Sequence, residues 1–288
     1  MNYKRRHFLK TAGGFAAGLV IAPYACSSAG SSSEIVSSND FGLQLYSLRD
    51  VIPADPQGIL QQVASFGYKQ IESYEGAQGM FWGMKNTEFK KYIDGLGLDM
   101  ISSHCDIDND FESKAAEAAE IGMKYLICPW RSQKSLDDYK RVAEDFNVKG
   151  EICKSNGIRF AYHNHAYSFE TMEGIMPQDI MMAGTDTDLV DFEMDIYWVV
   201  TGGQDPKAWF EKYPNRFKLC HMKDRMKNAT EAEATCTLGT GSIDFQPIVD
   251  VAKANGLEYY IVEQERYDGS TPIESVKEDA AYMSKLTL

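Results

Sequence analysis

Two histidines stand two residues apart in "FAYHNHAYSF" (160–169), where an apolar run gives way to polar residues. Alternation along a strand puts His163 and His165 on one face and turns Asn164 away. The same spacing closes five other apolar runs: Glu72 with Tyr74, Ser102 with His104 and Asp106, Glu193 with Asp195, His221 with Lys223, and Glu263 with Glu265. All four histidines beyond His7 fall in this set. Imidazole nitrogens and carboxylate oxygens around one point suit a single divalent cation such as manganese, zinc, cobalt or iron. Four ligands would come from one of His163 and His165, then Asp195, His221 and Glu263. The expected order is His163 as ligand and His165 as a substrate or acid/base residue. The second member of each pair is then available for substrate or for orienting the ligands.

Eight apolar runs carry these residues: 41–47, 68–74, 98–104, 124–130, 158–165, 189–198, 216–224 and 258–265. Between them lie stretches with apolar residues at three- and four-residue spacing, among them "PQGILQQVASFG", "ESKAAEAAEIGM" and "FQPIVDVAKANG". Several end in the glycine expected just past a helix, at Gly67, Gly97, Gly157 and Gly256. Eight strand–helix units in about 250 residues predict an α/β fold, a (β/α)8 TIM barrel over 41–288. A dinucleotide-binding open sheet would bring a Gly-rich turn after strand one, and "SLRDVIPADPQG" has none. A barrel of this kind places its chemistry at the carboxyl ends of the strands, where the polar pairs fall.

The termini and the charge narrow the setting. "KRRHFLK" followed by "TAGGFAAGLVIAPYA" has the layout of a twin-arginine export signal over 1–26. Export to the periplasm is therefore expected. Cys26 stands where a lipoprotein carries its acyl chains, which predicts a possible membrane tether. A Ser-rich linker over 27–40 would follow it. The chain has a net charge of -13, and residues 1–26 hold four basic and no acidic groups, so the remainder carries -13 - 4 = -17. That excludes a nucleic-acid or anionic-lipid surface. The other cysteines have neither CxxC nor zinc-finger spacing, so no disulfide framework is expected.

The segments "GLQLYSLRD", "YHNHAYSF", "FEMDIYWVVTGGQDP", "LCHMKD", "GTGSIDFQPIV" and "YYIVEQE" resemble the sugar phosphate isomerase/epimerase group of the xylose isomerase-like TIM-barrel superfamily. The resemblance implies one divalent metal in the barrel mouth, with Asp195, His221 and Glu263 among its ligands. Strand five departs from the best-known ketose epimerases. Those use a glutamate as ligand and as half of a two-glutamate proton-transfer pair, whereas here His163 stands there and Ser168 replaces a further glutamate. The expected activity is isomerisation or epimerisation of an unphosphorylated sugar through a metal-stabilised enediolate. The alternatives are β-elimination from a 3-keto-glycoside at the same site and a metal-dependent sugar-binding lipoprotein without turnover. Expected catalytic residues are Glu265, His165 and Glu72 as bases, with Lys223 stabilising negative charge. His104, Asn164, Trp130 and Trp198 are expected to contact the sugar. "LGTGS" (238–242) is a weaker candidate for a phosphate or for a helix cap.

Overall fold

In the computed structural model, which describes residues 39–288, the eight apolar runs close into one parallel barrel. Its strands are β1 (Gly42–Gln44), β2 (Gln70–Tyr74), β3 (Asp99–His104), β4 (Tyr125–Cys128), β5 (Arg159–His163), β6 (Val190–Asp195), β7 (Phe217–Met222) and β10 (Tyr259–Val262). Each pairs with its sequence neighbour in the barrel, and β1 closes the ring by pairing with both β2 and β10. A short hairpin, β8 (Asp224–Arg225) with β9 (Thr235–Cys236), follows β7. The expected export signal, Cys26 and residues 27–38 of the linker lie outside the described residues.

The barrel staves divide their side chains by parity. Phe160, Tyr162 and Phe192 face outward to the helices, where Phe146 of α4 (Leu136–Ser155) packs 5.3 Å from Phe160 and 5.2 Å from Tyr162. Ala161, Leu219 and Ile261 belong to a small apolar plug inside the ring. Two residues further along the same strands come His163, His221 and Glu263. The period of two that buries the plug therefore also aims these side chains into the space above it. Helix α4 comes close enough to the sheet that a side chain at Gly150 would lie 2.7 Å from the Leu189 carbonyl oxygen.

The strands are shorter than their apolar runs, and at β6 and β10 the early end bears on the site. β6 stops at Asp195, whose Oδ1 accepts a 3.0 Å hydrogen bond from the Trp198 amide and caps α6 (Ile196–Thr201). β10 stops at Val262, and residues 263–267 form an extended link to α9 (Pro272–Met283). The "LGTGS" loop folds around a side chain of its own chain. Its Gly239 and Gly241 amides, with that of Ile243, donate to the Asp224 carboxylate at 2.9, 2.9 and 3.1 Å. The chain's own carboxylate thus fills the anion-binding loop.

Asp279 on α9 is fully buried, and one oxygen accepts from the Leu238 amide at 2.8 Å. Burial pushes its carboxyl from an ordinary 3.8 up to about 8. The folded protein therefore holds a proton there that the unfolded chain releases above pH 3.8. The resulting stability is full below pH 3.8 and is lost as pH rises towards 8. Asp279→Asn, which keeps the acceptor without the titration, should flatten the decline of melting temperature between pH 5 and about 8 relative to the parent.

Candidate metal centre

Four side chains from four adjacent strand ends converge above the apolar plug. His163 Nε2, Asp195 Oδ2, His221 Nδ1 and Glu263 Oε2 have donor atoms within 4.8 Å of one another. His163 Nε2 is 3.1 Å from His221 Nδ1 and 3.3 Å from Asp195 Oδ2, and His221 Nδ1 is 3.1 Å from Glu263 Oε2. A tetrahedral ion with arms of about 2.0 Å needs edges of roughly 3.3 Å, so these separations fit one cation. All four residues are buried, yet His163 and Glu263 reach the wall of a cavity of about 470 Å³ that opens at the mouth.

A second layer lies below. Glu72, His104, Glu193 and the opposite edge of His221 form a compact group whose polar atoms already bond one another. His221 Nε2 lies 2.7 Å from Glu72 Oε1, and Glu72 also accepts from Gln44 at 2.7 Å and Ser102 at 2.5 Å. His104 Nε2 sits 2.8 Å from Glu193 and 3.2 Å from Glu72. A proton on His221 Nε2, donated to Glu72, leaves the Nδ1 lone pair facing the upper donors. That is how an outer carboxylate fixes the tautomer of a metal-binding histidine.

The electrostatics favour added positive charge. Glu72, Glu193, Asp195 and Glu263 are buried carboxylates, and Lys223 is the lysine that meets them among the described residues. Burial alone would lower His221, but Glu193 and Glu263 beside it raise it well above its ordinary value. His104 is likewise raised to about 9 against its burial, by Glu72 and Glu193. Burial would raise Asp195 and Glu263, but Lys223 and the histidines hold both low. Carboxylates that draw protons onto His221 and His104 mark a place where a dication would offset buried negative charge.

The comparisons with known proteins agree with this architecture. A sequence model described as "Xylose isomerase-like TIM barrel" matches residues 60–286. The chain belongs to the xylose isomerase-like TIM-barrel family. An inosose dehydratase from Clostridium perfringens strain 13 is 30% identical over 207 residues, 64% of this chain and 69% of that protein. The crystal structure of a sugar phosphate isomerase/epimerase from Parabacteroides distasonis superposes with a TM-score of 0.74 at 32% identity, covering 88% of this chain and 96% of the other. At 14% identity, where likeness speaks for the fold alone, the IOLI protein crystallised with a zinc atom has a TM-score of 0.67 over 85% of this chain and 95% of its own.

Within this family member, most of the expected residues meet at one place. His163, His165, His104, Trp130, Glu263 and Glu265 all line the cavity, and Lys223 is fully buried at its edge. Lys223 Nζ is 2.9 Å from Glu263 Oε2, 3.6 Å from Asp195 Oδ2 and in close contact with Glu265. Three expectations fail. Glu72 lies beneath the donor set with every approach taken by Gln44, Ser102, His104 and His221, so it has no path to a substrate proton. Asn164 is buried and joins β5 to β6. Its amide donates to the Asp195 carbonyl and accepts from the Asp195 amide, both at 3.2 Å, which fixes the cap and the donor together. Trp198 is buried behind His165 and does not line the cavity, because the strand ended three residues earlier and α6 turned its ring inward.

His165 is only partly as expected. Its ring stacks on Tyr167 at 5.7 Å and meets Trp130 at 4.6 Å, and Nδ1 has no partner among the described residues. Burial, followed by the neighbouring His163, pushes it down to about 2, so it is a neutral imidazole too weakly basic for general-base work. Glu193, Gln44 and the cavity residues Tyr46, Tyr74, Glu75 and Arg131 had no role in the sequence reading. Glu193 and Tyr74 carried a signal, as the period-two partners of Asp195 and Glu72. Purified protein should bind about one equivalent of divalent metal by plasma mass spectrometry. His221→Ala should abolish it, and Glu72→Gln should weaken metal affinity about 10- to 100-fold while leaving the four donors in place.

Proposed function

We propose that this protein is a divalent-metal-dependent enzyme that removes the proton beside the carbonyl of an unphosphorylated polyhydroxy ketone and expels a β-leaving group. It would act as a dehydratase or lyase on a keto-cyclitol or keto-glycoside. The observation that carries this reading is the scarcity of proton carriers. Glu265 is the carboxylate lining the cavity outside the donor set that stands against Lys223. Epimerisation with exchange of faces needs a second carrier on the opposite side. The other groups around the cavity are engaged: Glu72 is sealed beneath the centre, His163 belongs to the donor set, and His165 is barely basic. His104 is bonded to Glu72 and Glu193, Glu75 is paired with Lys114, and Asp106 is bonded to Asn109 and the Asp108 amide. Elimination needs only one. Glu265 takes the proton from carbon and returns it to the departing oxygen on the same face, ending each turnover as it began. The relatives named inosose dehydratase support the same reaction class.

His163, Asp195, His221 and Glu263 would hold the cation. When bound, it supplies a Lewis acid that polarises the substrate carbonyl. Lys223 keeps its proton because Glu263, Asp195 and Glu265 outweigh its burial, so its ammonium lies close to developing negative charge. Trp130, 56% exposed at the rim, offers an open ring face for a sugar.

The walls favour a neutral substrate. Glu75, Asp106, Glu263 and Glu265 line the cavity, and Arg131 is held bidentately by Asp108 at 2.7 Å through both nitrogens. Neither that arginine nor the Asp224-filled loop is free for a phosphate. A twin-arginine signal fits the same picture, since it would deliver the enzyme to a periplasm where sugar phosphates are scarce.

Metal-loaded protein would be incubated with 2-inosose and with 3-keto-glucosides in heavy water and followed by NMR. Loss of water or alcohol, with kcat lowered about 10²- to 10⁴-fold in Glu265→Gln at unchanged metal content, is the expected result. Deuterium incorporation with inverted configuration and no elimination would overturn the reading in favour of an epimerase. No exchange on any substrate that binds would leave a binding protein.

A further inference from the structure

Glu265 stands three residues beyond the end of β10, where no neighbouring strand holds the backbone. The Glu263 amide still donates to the Met222 carbonyl at 3.1 Å, and with that bond the pairing to β7 ends. Glu263 and Glu265 nevertheless both face the cavity, while Gln264 between them lines the opposite side of the link. Backbone groups that leave a ladder need other partners, and the partners they find set the direction in which Glu265 points.

Side chains from elsewhere in the fold supply them. The Gln264 amide donates to Ser47 Oγ at 3.0 Å, and the Gln264 carbonyl faces the Tyr267 hydroxyl at 2.6 Å. The Glu265 amide donates to Thr235 Oγ1 at 3.2 Å, and the Arg266 amide donates to the same oxygen at 2.9 Å. The Glu265 carbonyl accepts from Arg49 Nη2 at 2.9 Å. Both backbone groups of Glu265 are thus held by side chains, one from the β8–β9 hairpin and one from the loop after β1. Two successive amides converging on one acceptor is an arrangement that elsewhere binds an anion, and here a neutral hydroxyl fills it.

Thr235 is itself fixed. It is fully buried, and the Ala234 amide before it donates to the Tyr197 hydroxyl at 2.7 Å. Arg225, its partner across the hairpin, donates to that hydroxyl at 2.9 Å and to the Glu231 carbonyl at 2.7 Å. Lys223, which meets the Glu265 carboxylate, lies 5.4 Å from the centre of the Tyr197 ring. The group that holds the carboxylate and the group that holds the amide therefore lean on one tyrosine of α6. Arg49 is steadied in turn by Tyr46, whose ring lies 4.7 Å beneath its guanidinium and whose carbonyl accepts from it at 3.1 Å.

We propose that Thr235, with Arg49 on the other side of the link, is a positioning residue for Glu265, fixing its backbone so that the carboxylate lies between Lys223 and the substrate carbon. The role assigned to Thr235 rests on the reading of Glu265 as the proton carrier. Neither Thr235 nor Arg49 lines the cavity, so each acts through Glu265 alone. A displacement of about 1 Å at a reacting group costs on the order of 10²-fold in rate, which is the scale on which such a bond matters.

Thr235→Val keeps the shape of the side chain and removes the acceptor, and Thr235→Ser restores it. Metal-loaded protein would be assayed on 2-inosose and on 3-keto-glucosides. Thr235→Val should lower kcat about 10- to 100-fold with KM and metal content unchanged, and Thr235→Ser should recover most of the loss. In the Glu265→Gln background, Thr235→Val should cost nothing further. The carboxyl carbon NMR resonance of Glu265, assigned by its absence in Glu265→Gln, should move in Thr235→Val and return in Thr235→Ser. Arg49→Gln, at a half-buried position, gives the same readouts should Thr235→Val not fold. An unmoved resonance, or an equal loss of kcat in the Glu265→Gln background, would overturn the proposal and leave Thr235 a residue of the fold only. If neither substrate reacts, or Glu265→Gln turns over normally, the carrier assignment fails instead, and the resonance alone decides whether Thr235 positions the side chain.

Discussion

The two-sided use of His221 is the constraint on which the centre depends. Its Nε2 edge meets Glu72 in the lower layer and its Nδ1 edge meets the upper donors. One imidazole thereby joins a closed network of side chains to an open coordination site. Only His104 of the lower layer reaches the cavity wall, and the layer performs no chemistry in this reading. Its work is to hold the ring at one angle and in one tautomer. Without it, the upper donors would be four side chains near each other. With it, they form a site whose geometry precedes any ligand.

The cost of that arrangement is charge. Several buried carboxylates in one small volume repel each other, and the fold answers with positive groups at specific heights. His104, drawn up to about 9, answers the lower pair. Lys223 answers the upper one and extends to Glu265. A dication at the donor set completes the same pattern, which is why the protonation tendencies and the donor geometry point to one position. The link between structure and activity runs through Lys223, since the ammonium that balances Glu263 also stands beside the proposed proton carrier.

Acidity at the mouth has a related consequence. The cavity that leads to the centre is walled by carboxylates and aromatic rings, its arginine is neutralised by Asp108, and the glycine loop after β9 closes on Asp224. Each feature alone is an ordinary structural contact. Together they leave no group free to receive a phosphate, while leaving ring faces and acceptors for a neutral polyol. The proposed narrowing of substrate class therefore rests on which charges are already paired, a property of contacts and not of composition.

The sequence by itself determined the barrel and the residues of the centre, because both depend on local periodicity. Eight apolar runs separated by amphipathic helices leave one economical closed sheet. Polar pairs of period two at the ends of those runs must share a face, so Asp195, His221 and Glu263 were legible as a set with one of His163 and His165, and the structure brought His163 to the other three. The tertiary structure decided the roles of their neighbours. Whether Glu72 sits beneath the donors or beside them depends on strand stagger around the ring, which no local pattern carries. Whether Asn164 meets substrate depends on where β6 ends, and that is set by Asp195 capping α6. The same cap turns Trp198 behind His165. His165 itself, chemically able to be a base in isolation, loses that capacity only when Trp130, Tyr167, Trp198 and His163 surround it. Spacing along a chain determines which side chains share a face. Desolvation and the partners across the ring determine which of them remain free to react.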